Sequence, residues 1–246
     1  MDAAYLAGVS LIAVVWLSPL IEPAGAVLPA IPSLLASASV RRWLGNSVFI
    51  STVHTAFQMS VCTSAAYAFA RIPFAGKRLV YGIVISGFMI PEQAFFIPIY
   101  LMFANLNLHN TYFALIIPGV ASPVVLFLLT QFFRGIPTDL DDAAKMDGAG
   151  RLLIFLKIIL PLSMPVLAVI ILYSFLANWN SYLWPLVSAT KQDMWTLTIA
   201  LKKLASTSGL MGGVAAAWLA GAPLILLFFI FQKRIFNGIR FYSGID

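Results

Sequence analysis

Apolar residues along this chain gather in six long blocks, at 4–21, 47–70, 79–103, 112–133, 160–179 and 210–231, with short polar stretches between them. Each block is close to the ~20 residues that a helix needs to cross a hydrocarbon core of roughly 30 Å. Strands of a membrane barrel are far shorter and alternate in polarity, whereas these runs are long and uniformly apolar. The pattern therefore predicts an all-α, polytopic membrane protein with six transmembrane helices. A cleaved signal sequence is the other reading of block 4–21, but it lacks a basic segment ahead of its apolar run, so it is taken as a span.

Composition agrees with the pattern. The 246 residues are 61% hydrophobic and only 10% charged, with a mean hydropathy of +0.94, against roughly half apolar and about a quarter charged in soluble domains. Loops are short and there is no low-complexity tract, so residues 1–246 are expected to form one membrane domain. The net charge of +6 does not form a basic patch suited to nucleic acid. With six spans, both termini share a side with Arg71, Lys77, Arg78, Arg134, Lys145, Arg151, Lys157, Lys233, Arg234 and Arg240. The other side holds Arg41, Arg42, Lys191, Lys202 and Lys203. Basic residues collect in short cytoplasmic loops, which orients both termini to the cytoplasm.

Several kinds of chemistry are excluded by what is missing. Cys62 is the single cysteine, and His54 and His109 are the only histidines, so no His/Cys metal-ligand spacing exists. No G-x-x-x-x-G-K-[ST] phosphate loop occurs; Gly76-Lys77 lacks its other parts. No cofactor is expected on this chain, and nucleophiles and bases do not cluster as a membrane enzyme requires. Energy must come from elsewhere.

Prolines punctuate the spans: Pro91 and Pro98 in the third block, Pro118 and Pro123 in the fourth, and Pro223 with Gly221 in the sixth. Each removes a backbone donor and bends its helix. On the outer side, Leu197, Leu201 and Leu204 recur at helical spacing with Lys202 and Lys203 off that face, which predicts a short amphipathic helix. It either rests on the bilayer or contacts an external protein.

The cytoplasmic loop at 134–161 is the most informative segment. Asp139, Asp141, Asp142 and Asp147, four of the nine acidic residues, fall within nine positions of it. Pro137 and Thr138 open a helix, and the three aspartates of its first turn suit the positive end of the helix dipole. Leu140, Ala143 and Ala144 form a stripe of mostly small residues that lets another backbone approach. Gly148 breaks the helix at a position expected to need a positive φ. A second run follows, with Leu152, Phe155, Leu156 and Ile159 expected on one face before Pro161. Helix, glycine turn and helix make a unit too short to fold alone, so a partner is expected to complete it.

That constellation resembles the EAA loop of bacterial ATP-binding-cassette importer permeases, an ordered pattern of Glu-Ala-Ala, then Asp-Gly, then apolar residues ending in Leu-Pro. Here it stands as Asp142-Ala143-Ala144, Asp147-Gly148-Ala149, Phe155, Ile158 and Leu160-Pro161. Asp142 replaces the usual Glu. Stretches such as "AAYAFARIPFAGK" at 65–77, "MIPEQAFFIPIY" at 89–100 and "WNSYLWPL" at 179–186 are similar to the maltose-type, carbohydrate-handling branch. The likeness runs from about residue 46 to 238, and the C-terminus lacks that branch's closing Gly-Ala-Val-Lys. The resemblance implies a permease subunit in the bacterial cytoplasmic membrane, paired with a homologous second permease and an external solute-binding protein. It further implies two ATPase subunits that bind ATP and Mg, engaged through Asp142, Ala143, Ala144, Asp147, Gly148, Ala149, Phe155, Leu160 and Pro161. The cargo implied is a sugar, a sugar alcohol or a glycerol phosphate.

The alternative is a secondary transporter or channel driven by an ion gradient, which would place ionisable groups near mid-span. Glu92 and His54 are the only such residues, and this reading gives the charged cytoplasmic loop no role. For the substrate path the candidates are His54, Gln58, Glu92, Trp179, Asn180 and Tyr182. Against them stand interhelical hydrogen bonding for the polar residues and an interfacial aromatic belt for the others.

Overall fold

A computed structural model describes residues 29–207, 213–227 and 229–230. The first apolar block, parts of the sixth and the C-terminal stretch 232–246 lie outside the described residues. Among those described, every regular element is helical. In chain order they are α1 (Ala30–Ala36), α2 (Ala38–Arg71), α3 (Lys77–Ser86), α4 (Glu92–Asn105), α5 (Tyr112–Ile116) and α6 (Pro123–Gly135). There follow α7 (Asp139–Met146), α8 (Arg151–Leu162), α9 (Met164–Trp179), α10 (Leu183–Ser188) and α11 (Leu197–Thr207), and α12 (Gly213–Leu227).

The long helix α2 organises the rest. Its 34 residues contain no proline and extend about 50 Å at 1.5 Å per residue. It packs against α6 and α9, and its N-terminal half also meets α5 and α11. Around its second half Cys62, Ala66, Tyr67 and Phe69 form a core with Val125, Leu129 and Phe133 of α6, Ile154, Phe155 and Ile159 of α8, and Leu167 and Ile170 of α9. Nearer its start, Val40 and Trp43 pack with Ala200 and Leu204 of α11 and with Ala216 and Leu219 of α12.

Three predicted spans are not continuous helices. Block 79–103 divides at Pro91, where two helical pieces meet at 100°. Block 112–133 is two helices, α5 and α6, separated by the irregular stretch 117–122 that contains Pro118. In block 160–179, α8 and α9 meet at 80° about Ser163. Prolines cause these breaks, because each removes a donor and its ring displaces the preceding turn. Among the described residues no single helix is long and apolar enough to cross a membrane, though the first and third of these bent pairs satisfy length and composition together. In α2 the length is ample, but a face of serine, threonine, asparagine, histidine and glutamine dilutes its apolar character.

Candidate functional site

The residues of loop 134–161 fold as the sequence predicts in outline, with differences that set what each side chain can do. Helix α7 carries Asp139, Asp141 and Asp142 in its first turn and Lys145 in its last, the charge order that the helix dipole favours. Thr138 is itself helical and its hydroxyl caps nothing; its carbonyl instead accepts from the N–H groups of Asp141 and Asp142 at 2.9 and 3.1 Å. Gly148 lies at φ +80° and closes the helix, its N–H donating to the Lys145 carbonyl at 3.0 Å while Ala149 N–H donates to Ala144 at 2.9 Å. Nothing lies within 4 Å of where a Gly148 Cβ would stand. Glycine is therefore needed for its backbone conformation and not for room.

The four aspartates are not equivalent. Asp142 is exposed and accepts from Lys145 Nζ at 2.7 Å, a bond that holds the Lys145 ammonium above its ordinary pKa. Asp141 is buried, its Oδ2 lying 3.6 Å from Nη1 of the equally buried Arg71. Arg71 also donates from Nη2 to the Ile136 carbonyl, just ahead of α7. One turn earlier on α2, Tyr67 donates its hydroxyl to the Arg151 carbonyl at 3.0 Å and its ring meets Phe155 at 4.9 Å. The end of α2 thus holds the loop on both flanks and in its middle.

Each of the two expected stripes is divided between an inner and an outer side. Asp141 and Ala144 face the core, whereas Leu140 and Ala143 are exposed. In α8 the buried residues are Ile154, Phe155 and Ile159, with Leu152 and Leu156 outside. A π-helical turn at Phe155–Ile159 accompanies the change, widening the repeat so that Ile154 and Ile159, five apart, both face inward. It sits where Pro161 cannot donate to the carbonyl four residues back. Met146 at 89% exposure and Leu152 at 69% leave an apolar surface beside the exposed Asp142 and Lys145.

The polar candidates of the second block have a defined task. His54 Nδ1 lies 2.7 Å from the Ile116 carbonyl, Gln58 Nε2 donates to Gly119 at 2.9 Å, and Cys62 Sγ points to the Val120 carbonyl at 3.6 Å. Spaced four apart on one face of α2, the three side chains meet the carbonyls that the break between α5 and α6 leaves without helical donors. Gly119 lies at φ +81°, and an added Cβ would meet the His54 ring only at ordinary contact, 3.7 Å, so backbone conformation rather than space calls for glycine there. In this conformation His54 and Gln58 brace a broken helix.

Trp179 is likewise interior. Its indole N–H donates to the Ala220 carbonyl at 3.2 Å, its own carbonyl accepts from Thr198 Oγ1 at 2.9 Å, and its ring stacks on Phe175. Its side chain is buried in this conformation. Asn180 is exposed and returns to the Leu176 carbonyl; Tyr182 is half-buried. The side chain of Glu92 lies outside those described.

The amphipathic helix predicted near residue 200 is α11, but its apolar face is occupied. Leu197 is buried, with its N–H donating to Ser47 Oγ at 2.7 Å, and Leu204 is buried against Val40 and Trp43; Leu201 packs beside them. Of the residues expected to contact an external protein, Lys202 and Lys203 remain exposed, and the Lys203 ammonium lies over the Trp195 ring at 5.0 Å. The preceding segment is fastened by Asn46, which donates to the carbonyls of Asp193 and Trp195 at 2.8 and 3.0 Å and accepts from the Tyr112 hydroxyl. Trp43 Nε1 donates to the Gln192 carbonyl.

The ties made by Asn46, Tyr67 and Arg71 did not emerge from the sequence reading. A signal was available: from Ser47 through Ser51, His54, Gln58 and Cys62 the polar side chains return every three or four residues, and Arg71 is the first charge after Arg42.

Comparison with known proteins agrees with the fold. Residues 59–241 match the family described as the inner membrane component of binding-protein-dependent transport systems, and the chain belongs to that family. It is therefore the non-catalytic permease subunit of such a transporter. It is 35% identical over 199 residues to the arabinooligosaccharides transport system permease protein AraQ of Halalkalibacterium halodurans, covering 80% of this chain and 71% of that protein. It is 32% identical to the lactose transport system permease protein LacG of Rhizobium radiobacter, covering 87% and 79%. The sn-glycerol-3-phosphate transport system permease protein UgpE of Yersinia pestis is 31% identical, covering 79% and 70%. The fold is shared, with a TM-score of 0.77 and 22% identity over 94% of each chain, with a chain of a bacterial ABC transporter that imports the acidic polysaccharide alginate.

Proposed function

We propose that this subunit forms half of the translocation path of an ATP-driven importer for a sugar, polyol or glycerol phosphate. Its complete assembly contains a homologous second permease, two ATPase subunits carrying ATP and Mg, and an external binding protein. The relatives that handle arabinooligosaccharides, lactose and glycerol 3-phosphate support this cargo class. The excess of basic residues in the loops on the α7 side supports an arrangement with both termini in the cytoplasm.

Within residues 134–161, α7 is proposed as the coupling helix that seats in a groove of a separate ATPase. One observation carries this reading: α7 is fixed to its own chain through Asp141 and Ala144, yet presents Asp142, Ala143 and Met146 outward. A solvated connection has no need of Met146 at 89% exposure beside a small residue. Ala143 permits close approach, and Gly148 turns the chain so that α8 leads back to the membrane part. Residues Phe155, Leu160 and Pro161 then carry motion toward α9.

The experiment compares Gly148→Val and Ala143→Trp with the parent in the assembled, lipid-reconstituted transporter, measuring assembly, ATP hydrolysis and uptake. Both are expected to assemble less completely, or to hydrolyse ATP without uptake. Parental behaviour of both would reduce the loop to a connection.

A further inference from the structure

We infer that Arg71 and Asp141 are positioning residues that report the place of α7 to the long helix α2, giving the coupling loop a second route into the membrane part besides α8. The inference rests on the reading of α7 as a coupling helix and extends it.

The route through α8 is broken. It contains a π-helical turn at Phe155–Ile159 and an 80° bend before α9. Helix α2, by contrast, is continuous over 34 residues without proline. Its last two turns touch the loop at three places: Tyr67 on the Arg151 carbonyl, Arg71 on the Ile136 carbonyl, and Arg71 on Asp141. Its other end, through Trp43, Asn46 and Ser47, holds the segment 192–197. One uninterrupted helix therefore joins the coupling loop to the far segment.

The charge pair is unfinished in this conformation. Both side chains are more than nine-tenths buried, yet their closest approach is 3.6 Å. Arg71 Nε and Asp141 Oδ1 are buried with no hydrogen-bond partner. Unpaired buried polar atoms are costly, and a guanidinium can take a carboxylate through two parallel bonds. A small shift of α7 toward α2 would close that fork, and a shift away would open it. The pair thus distinguishes two positions of α7, as a two-state element must.

The test uses the complete transporter in lipid vesicles and reads substrate imported per ATP hydrolysed, together with the amount of assembled complex. Asp141→Asn keeps the shape of the side chain and removes its charge, and Arg71→Gln removes the charge while leaving a shorter polar side chain. Each is expected to lower imported substrate per ATP about tenfold, while binding-protein-independent hydrolysis continues. The exchanged pair Arg71→Asp with Asp141→Arg is expected to recover part of the ratio. A purely architectural pair would instead reduce the amount of complex and leave the ratio of the surviving complex unchanged; that result overturns the inference. Normal ratios here combined with defective Gly148→Val and Ala143→Trp would reject this route while leaving α7 as the coupling helix.

Discussion

Gln58 donates its side-chain amide to the carbonyl of Gly119 at 2.9 Å, 61 residues further along the chain. The bond joins the middle of the longest helix to the most irregular part of the fourth apolar block. With His54 and Cys62 above and below it, Gln58 supplies donors that the backbone of 117–122 lacks.

Gln58→Leu removes this donor without removing bulk. The assembled complex is expected to lose about 1 kcal/mol of stability, the scale of interhelical hydrogen bonds in membranes. A lowered Tm at unchanged half-saturating substrate concentration would be the signature. A changed substrate preference with unchanged Tm would return Gln58 to the translocation path.

For Gly148 the prediction separates backbone conformation from space. Asparagine tolerates positive φ, whereas a β-branched residue does not, and no neighbour obstructs a side chain at this position. Gly148→Asn is expected to retain most uptake. Gly148→Val is expected to cost about 1–3 kcal/mol in local strain. Equal uptake defects in the two variants would point to crowding by a partner instead.

Leu197 and Lys202 divide α11 into an inner and an outer face. Leu197→Ala is expected to destabilise the subunit by about 2–5 kcal/mol, as for other fully buried leucines, and to show it as reduced yield and Tm. Lys202→Ala should leave both unchanged, because its side chain is exposed. If Lys202→Ala alone weakens binding-protein stimulation of ATP hydrolysis, the lysine face is a contact surface.

Trp179→Phe retains a flat ring but loses the N–H that meets the Ala220 carbonyl. The expected loss is about 1 kcal/mol of stability, the usual net worth of such a bond, with the half-saturating substrate concentration unchanged. A rise in that concentration without loss of Tm would show that the ring contacts cargo.

Much was legible in the sequence because it depends on local pattern. Apolar blocks of membrane length announce helices whatever their partners, and the ordered run from Asp142 to Pro161 marks the loop proposed to couple to an ATPase. The positive φ of Gly148 followed from a glycine placed after a charged helix. Less was legible where a polar residue had two uses. His54, Gln58 and Trp179 carry groups able to hold a sugar, yet in the fold those groups are spent on backbone carbonyls and close packing. Likewise Leu197 and Leu204 form an apolar stripe that alone reads as a docking face, although α2 and α12 already cover it.

The sequence by itself determined the all-helical membrane class, the place of the loop and the breaks near Pro91 and Pro118, since hydropathy and missing donors act over a few residues. Only the tertiary structure decided which of four similar aspartates is buried. Asp141 differs from Asp142 by one position, about 100° around a helix, and that turn carries its carboxylate from water to Arg71, 70 residues earlier. Such a pairing depends on how α2 and α7 pack, which no local pattern specifies.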